Sequence, residues 1–276
     1  MLLQEFLNDC KYRGITHYLD TNILSFFTYE LLDANFEDVI VSVLLEGCLK
    51  SLSFFIFAGI SIDYSIDKKT LLYYAIKSNN KTTVYYLLDK GANVHCHSKI
   101  DNFYNYTPIH IAAMEGNKDI VEMLLVKGAH IDDNAYNNRT PLHMAVIKDQ
   151  KEMIELLLVK GANIEATNNY KFTPLQVAIR GNKKEIIQIL FARGSNIETR
   201  DYDYQTPLHN AVDKGNIEII ELLLQKGAKY IDTYSDNNPA IIIIRNRLER
   251  NNNITSSLQL LGILPRDIVS SIIKFF

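Results

Sequence analysis

Runs of apolar residues recur along the chain, and each run ends a few residues before a glycine. Two examples are the run 120–125 before Gly128 and the run 219–224 before Gly227. Within such a run the apolar side chains fall at helical spacing and form a stripe that is too wide to leave in water. The pattern predicts a series of helices, each of which buries its stripe against a neighbour and ends at a glycine in the left-handed conformation.

A second signal precedes each of these runs. A Thr-Pro pair lies 21 residues before the glycine and recurs at a step of 33 residues, at Thr107, Thr140, Thr173 and Thr206. Threonine is a good helix N-cap and proline suits the first helical position, so each pair predicts a further short helix. Nine residues after each of these threonines, and after Thr70, the chain has a residue type that tolerates a left-handed turn. These residues are Asn79, Gly116, Asp149, Asn182 and Gly215. The repeating unit is therefore two helices joined by a tight turn.

The order T-P-L-H-x-A, then G-N, then I-V-x-x-L-L-x-x-G-A resembles the ankyrin repeat. Four copies match well, and a fifth begins at Thr70, where Leu71-Leu72-Tyr73 replaces Pro-Leu-His. The resemblance implies an all-α ankyrin-repeat solenoid of helix-turn-helix units with finger loops, closed by degenerate helical caps. We predict five repeats over residues 64–235, a helical region with a degenerate repeat over 1–63, and a degenerate repeat with a terminal helix over 236–276.

The finger loops depart from the family pattern at one position. Ankyrin fingers usually carry glycine two residues before the threonine, whereas this chain has Lys68, Asn105, Asn138, Lys171 and Tyr204. Because lysine and tyrosine resist the left-handed conformation, we expect irregular hairpin tips at Lys171 and Tyr204. The finger before Thr107 is also four residues longer than the later ones.

Aromatic residues recur on these fingers at a similar step, and aromatic side chains are enriched at the centres of protein interfaces. We therefore predict a protein-binding row formed by Phe103, Tyr104, Tyr106, Tyr136, Arg139, Tyr170, Phe172, Tyr202 and Tyr204. The alternative is that neighbouring tips only pack on one another, because apolar clusters on exposed loops have both explanations. Residues of the first helices on the concave side, such as Arg180, are secondary candidates.

The histidines of the Thr-Pro-Leu-His motif raise the question of a metal site. The resemblance gives His110, His143 and His209 a structural role, and Gln176 would interrupt a ladder of ligands. The His95-Cys96-His97 cluster lacks the ligand spacing of a zinc site. We predict no metal and no cofactor. The sequence also lacks a phosphate-binding loop, a nucleophile elbow and an H-E-x-x-H pair, so we predict that the protein is not an enzyme.

The composition limits the kinds of partner that we expect the protein to bind. The 276 residues include 29 Lys and Arg against 32 Asp and Glu, and the net charge of −3 gives no electrostatic reason to expect nucleic acid or an anionic membrane surface. Three widely spaced cysteines favour a reducing compartment. The first residues do not resemble a signal peptide. We expect a protein partner, and a location in the cytosol or the nucleus.

The C-terminal segment leaves the period of 33 residues. Pro265 and Asp267 favour a short amphipathic helix there. The segment resembles the opening helix of an F-box, and its combination with ankyrin repeats resembles the poxvirus ankyrin/PRANC host-range family. This resemblance implies that a Skp-family adaptor of a cullin ubiquitin ligase binds the helix through Leu264, Pro265, Ile268, Ile272 and Phe275.

The resemblances imply one function and leave an alternative. The first is a viral adaptor that binds a host protein through its repeats and links it to the ligase through the terminal helix. The alternative is a non-catalytic scaffold or inhibitor that sequesters a host signalling protein, in which the terminal helix only covers the apolar end of the solenoid, as terminal repeats require.

Overall fold

The helices fall in pairs along the part of the chain that the structure describes. The computed structural model describes residues 36–100 and 103–229, with the backbone alone at 99, 100, 103 and 104. Within these ranges twelve α-helices form six pairs. The prediction of an all-α repeat fold is confirmed. The chain divides into two compact units, residues 1–162 and 163–276, and the division falls inside the predicted repeat array.

The described part of the first unit contains four helix pairs and two hairpins. The helices are α1 (Phe36–Glu46), α2 (Leu49–Phe57), α3 (Leu71–Lys77), α4 (Lys81–Asp89), α5 (Pro108–Glu115), α6 (Lys118–Val126), α7 (Pro141–Ile147) and α8 (Lys151–Val159). The antiparallel hairpins are β1 (Ser65–Ile66) with β2 (Lys69–Thr70) and β3 (Ser98–Ile100) with β4 (Phe103–Tyr106). A 3-10 turn, Tyr136–Asn138, precedes α7. First helices pack in succession, α1 on α3, α3 on α5 and α5 on α7.

The described part of the second unit contains two further pairs. These are α9 (Pro174–Arg180) with α10 (Lys184–Ala192), and α11 (Pro207–Asp213) with α12 (Ile217–Gln225). The first helices α9 and α11 pack on each other, as in the first unit. The same supersecondary element is thus stacked within each unit.

The helix ends form at the residues that the sequence predicts. Thr173 accepts a hydrogen bond from the backbone N–H of Gln176 (3.4 Å), which caps α9. All five predicted turn residues have a positive φ, namely Asn79, Gly116, Asp149, Asn182 and Gly215. Gly116 has a second constraint, because a β-carbon there would lie 2.4 Å from Gln150 Oε1. The predicted caps and turns are therefore confirmed.

The core consists of the apolar stripes of the second helices packed against the first helices. In α6, Ile120, Val121 and Leu124 are fully buried and Leu125 is half-buried. Each fully buried side chain of this size stabilises the fold by about 1.5–3 kcal/mol relative to an exposed one. The helices of the described residues are all too short or too polar to cross a membrane.

Side chains also tie two of the copies to the copy before them. Asn117 Nδ2 donates to the carbonyl oxygen of Ile76 (3.1 Å), and Gln150 Nε2 donates to that of Met114 (3.2 Å). Both donors are N-cap residues of second helices, and both carbonyls lie in the last turn of a first helix. The Ile76 carbonyl also accepts from the backbone N–H of Asn79 (3.0 Å). The amide side chain therefore joins two neighbouring copies at the end of a first helix.

Candidate protein-binding surface

The two fingers of the second unit are built on the same side-chain-stabilised turn. Asn168 Oδ1 accepts hydrogen bonds from the backbone N–H groups of Tyr170 (2.9 Å) and Phe172 (3.0 Å). Asp201, 33 residues later, accepts in the same way over distances of 3.0 and 2.9 Å. Asn and Asp commonly stabilise turns in this manner. Each finger tip is therefore held in a defined conformation.

The expected irregularity at Lys171 and Tyr204 is wrong. Both residues adopt the left-handed conformation, with φ of 57° and 59°. The finger of Lys171 is closed by backbone hydrogen bonds from Asn168 N to Phe172 O (3.1 Å) and from Lys171 N to Asn168 O (2.8 Å), and the other finger repeats them. Left-handed backbone costs a non-glycine residue about 1–2 kcal/mol, which the hydrogen bonds of the turn offset.

Three tyrosines are exposed on these two fingers. Tyr170, Tyr202 and Tyr204 are 56%, 69% and 74% exposed. The fingers also contact each other, because Tyr202 N donates to Tyr170 O (3.0 Å) and the Lys171 ammonium lies 5.9 Å from the Tyr202 ring centroid. In the second unit neighbouring tips therefore pack together and still leave a large aromatic area in contact with water.

A chain of contacts connects the finger to the first helices. Phe172 stacks on Tyr170 with ring centroids 5.8 Å apart, and the Arg180 guanidinium lies 4.6 Å from the Phe172 centroid. Arg180 Nη1 donates to Asn210 Oδ1 (3.0 Å), and Asn210 Nδ2 donates to Asp201 Oδ2 (2.9 Å). Because several groups hold it, the exposed Arg180 is positioned beside the finger before any partner binds.

Asn210 was not among the predicted site residues. It is fully buried, whereas the three preceding copies have apolar residues at this position, Ile111, Met144 and Val177. A buried polar side chain at a repeat position that is apolar in other copies must find hydrogen-bond partners in the interior. That contrast between copies is the sequence signal that identifies Asn210 as the link between Asp201 and Arg180.

Tyr106 requires a correction to the predicted binding row. It is 3% exposed and meets the His110 ring edge-to-face, with centroids 6.1 Å apart. It pairs with Ser98 in the β3–β4 hairpin, and Ser98 is also buried. Because this end of the hairpin lies against the helices, Tyr106 belongs to the core and does not offer its ring to a partner.

The other residues of the predicted binding row that belong to the first unit lie in three different environments. Tyr136 is exposed in its 3-10 turn. Phe103 and Tyr104 lie in β4, where the structure describes the backbone alone. Arg139 is half-buried, and its carbonyl oxygen lies 3.0 Å from His110 Nε2. Of this set, the described side chain most accessible to a partner is that of Tyr136.

The motif histidine is a structural residue in the copy that begins at Thr107. His110 Nδ1 lies 2.8 Å from Thr107 Oγ1, and Nε2 bonds the carbonyl of the next finger. Burial lowers the pKa of His110 to about 4, so the imidazole is neutral at pH 7. Gln176 makes the equivalent bonds, from Thr173 N to Oε1 (3.0 Å) and from Nε2 to Gln205 O (3.3 Å). Both His110 ring nitrogens are therefore engaged in hydrogen bonds within the fold.

The His95-Cys96-His97 cluster makes separate contacts. The His95 ring lies 5.0 Å from that of His130, and Cys96 Sγ lies 3.6 Å from Thr70 Oγ1. Burial raises the pKa of the Cys96 thiol, which favours the protonated form. Across residues 36–100 and 103–229, no group of three or more His, Cys, Asp or Glu side chains is placed to hold a metal ion.

The predicted ligase-binding residues lie outside the described residues. These are Leu264, Pro265, Ile268, Ile272 and Phe275, in the segment 230–276.

Comparison with protein families gives matches over most of the chain. A model described as Ankyrin repeats (3 copies) matches residues 34–135, 83–168 and 127–201, and a model described as Ankyrin repeat matches residues 203–231. The matched residues begin at residue 34, before the copy that begins at Thr70, and therefore include α1 and α2. No curated protein sequence matches the chain.

Proposed function

This chain belongs to the ankyrin-repeat family, a class of protein–protein interaction module, and we propose that it is a viral adaptor that brings a host protein to a ubiquitin ligase. Ankyrin repeats are typically non-catalytic, so in this proposal the chain acts by binding. The proposed place of action is the cytosol of the host cell. The proposal has two parts, one for the repeats and one for the C-terminal segment.

The observation that carries the first part is the aromatic surface of the second unit. Tyr170, Tyr202 and Tyr204 are exposed on fingers with a fixed backbone, and Arg180 is held beside them. Tyrosine and arginine dominate the binding energy of many protein interfaces, and little side-chain freedom is lost when the residues are already positioned. We propose that these four residues form the centre of the surface that holds the host protein.

The second part rests on the sequence pattern of the C-terminal segment. Leu264, Ile268, Ile272 and Phe275 recur at helical spacing, and the segment resembles the opening helix of an F-box. An amphipathic helix with such a stripe suits binding in an apolar groove of a partner. We propose that the groove belongs to a Skp-family adaptor of a cullin ligase.

The second part is tested by affinity purification and quantitative mass spectrometry from transfected cells. The variant combines Leu264→Ser with Ile268→Ser, and the matched control combines Ser270→Ala with Ser271→Ala in the same segment. We expect wild type and control to enrich the adaptor and cullin, and the Leu264/Ile268 variant to lose both while it retains other partners. If neither ligase component is enriched by wild type while a host protein is, the chain acts as an inhibitor that sequesters its target.

The first part is tested on the fingers with the variant Tyr202→Ser/Tyr204→Asn. Asparagine tolerates the left-handed conformation, so the turn is kept while both rings are lost. We expect host partners to be depleted by about tenfold and the ligase components to be retained, because only the aromatic surface changes. Val159→Ser, which alters an exposed apolar residue on α8, serves as control. Unchanged host partners in the finger variant would contradict the assignment.

A further inference from the structure

An apolar groove lies between the second helices α2 and α4 of the first unit. It has a volume of about 460 Å³ and is lined chiefly by Phe54 and Phe57 from α2 and by Tyr86 from α4, with Lys50 and Lys90 at its walls. Phe54 is almost fully buried, whereas Phe57 is 57% exposed. None of these residues takes part in the function proposed above.

The next second helices in this unit are bridged by ion pairs. Asp119, in the first turn of α6, pairs with Lys81 of α4. Glu122, one turn further along α6, pairs with Lys160 directly after α8 (2.7 Å). A lysine and a carboxylate thus connect each of these neighbouring helices across their junction.

At α2 the charge pattern is reversed. Counted back from the glycine that follows each helix, Lys50 takes the position that Asp119 and Glu152 take in α6 and α8. The first turn of α2 carries no acidic residue, although the positive end of the helix dipole favours one there. On the other wall Lys90 lies 5.7 Å from the Tyr86 ring centroid. Neither lysine forms an ion pair with an acidic side chain of the described residues.

We propose that this groove binds an amphipathic helix of a protein partner that carries acidic residues on both sides of its apolar stripe. The apolar stripe would cover Phe57, Phe54 and Tyr86, and the carboxylates would pair with Lys50 and Lys90. Charge complementarity favours this occupant, because a cation stands on each wall and no carboxylate of the described residues neutralises either one. Recognition of this kind follows the helix-in-groove mode.

The test selects binders for the full-length chain from a display library of helical peptides. The library fixes Leu, Ile or Phe along one stripe and randomises the other positions. Selected peptides are then measured by fluorescence anisotropy against wild type, Phe57→Ser, Lys50→Glu/Lys90→Glu and Val126→Ser. Val126 is the matched control, because it stands two residues before its glycine as Phe57 does and is 84% exposed.

We expect the selected peptides to be acidic beside the stripe and to lose about tenfold in affinity with Phe57→Ser, with no change for Val126→Ser. The double lysine variant should bind acidic peptides more weakly and basic peptides more tightly than wild type does. Unfolding of the variant would not produce this gain in affinity for basic peptides. The proposal is overturned if no peptide competes for the groove or if enriched peptides are not acidic. It is also overturned if light scattering shows a dimer that Phe57→Ser dissociates, since the occupant would then be a second copy.

Discussion

The copy that begins at Thr107 and the copy that begins at Thr173 meet the same structural requirement with different side chains. His110 and Gln176 occupy the same position, both are fully buried, and each links its N-cap threonine to a carbonyl of the next finger. The carbonyl can only accept, so His110 carries its proton on Nε2. The position therefore requires an acceptor on one side and a donor on the other, and an imidazole is only one way to supply them.

The difference between the two copies lies in their response to acid. His110 can take up a proton and Gln176 cannot. The finger tips before these copies differ as well, since Asn105 and Lys171 both adopt a left-handed backbone that asparagine tolerates better than lysine. One copy is thus sensitive to pH, and the other carries more backbone strain.

The largest expected effect is a reduced acid sensitivity in His110→Gln. The folded-state pKa of about 4 lies below the ordinary value near 6.5, so the unfolded chain takes up the proton first as the pH falls. The contribution of His110 to the free energy of unfolding should therefore decrease by about 3 kcal/mol as the pH falls from about 6.5 to about 4. Urea unfolding at pH 7 and pH 4.5 measures this, and the variant should lose about 2 kcal/mol less than wild type.

The control for this experiment is Gln176→Leu, which breaks the equivalent buried link at a position without a titratable side chain and should lower the free energy of unfolding equally at both pH values. If His110→Gln and wild type lose equal stability between the two pH values, His110 does not set the difference between the copies.

A smaller effect is expected for the converse change, Gln176→His. At pH 7 the neutral imidazole can make both hydrogen bonds of the amide, so the free energy of unfolding should change by less than about 1 kcal/mol. Gln176→Leu leaves Thr173 N and Gln205 O without this partner and should cost about 1–3 kcal/mol. Urea unfolding at pH 7 compares the two variants. Equal losses would mean that packing, not hydrogen bonding, decides the residue at this position.

The smallest effect concerns the finger tips. Lys171→Asn should stabilise the protein by about 0.5 kcal/mol, because asparagine tolerates the left-handed backbone. Asn105→Lys should destabilise it by a similar amount. Thermal unfolding measures both. Lys171→Ala separates backbone strain from the contact of the ammonium with Tyr202, since alanine keeps the strain and removes the contact. A Lys171→Asn variant no more stable than Lys171→Ala would contradict the strain argument.

The repeated elements could be predicted because they depend on neighbouring residues. The turns at Asn79, Asp149 and Asn182 and the threonine caps follow from the conformational preferences of single residues. The regular tip at Tyr204 was missed, because the stabilising bonds come from Asp201, whose role depends on the whole turn. A local preference was there overridden by the hydrogen bonds of the loop.

The candidate surface could be predicted only in part. The exposed tyrosines at 170, 202 and 204 follow from their place on the fingers, whereas the burial of Tyr106 depends on how the longer β3–β4 hairpin packs on the helices. The Arg180–Asn210 contact joins residues 30 positions apart in sequence, in two different copies. Such contacts depend on stacking, which a single copy of the motif does not contain.

The hydrogen bonds between copies have a consequence for recombination. His110 reaches forward to the carbonyl of Arg139, and Asn117 reaches back to that of Ile76. A copy therefore completes its neighbours on both sides, and its partners are backbone groups that every copy supplies. Genetic exchange that removes or duplicates a whole period preserves these junctions where the new neighbour supplies a suitable side chain, as Gln176 does in place of His110, whereas a cut out of phase breaks two at once. The array can in this way change its length and its binding surface while its interior is kept.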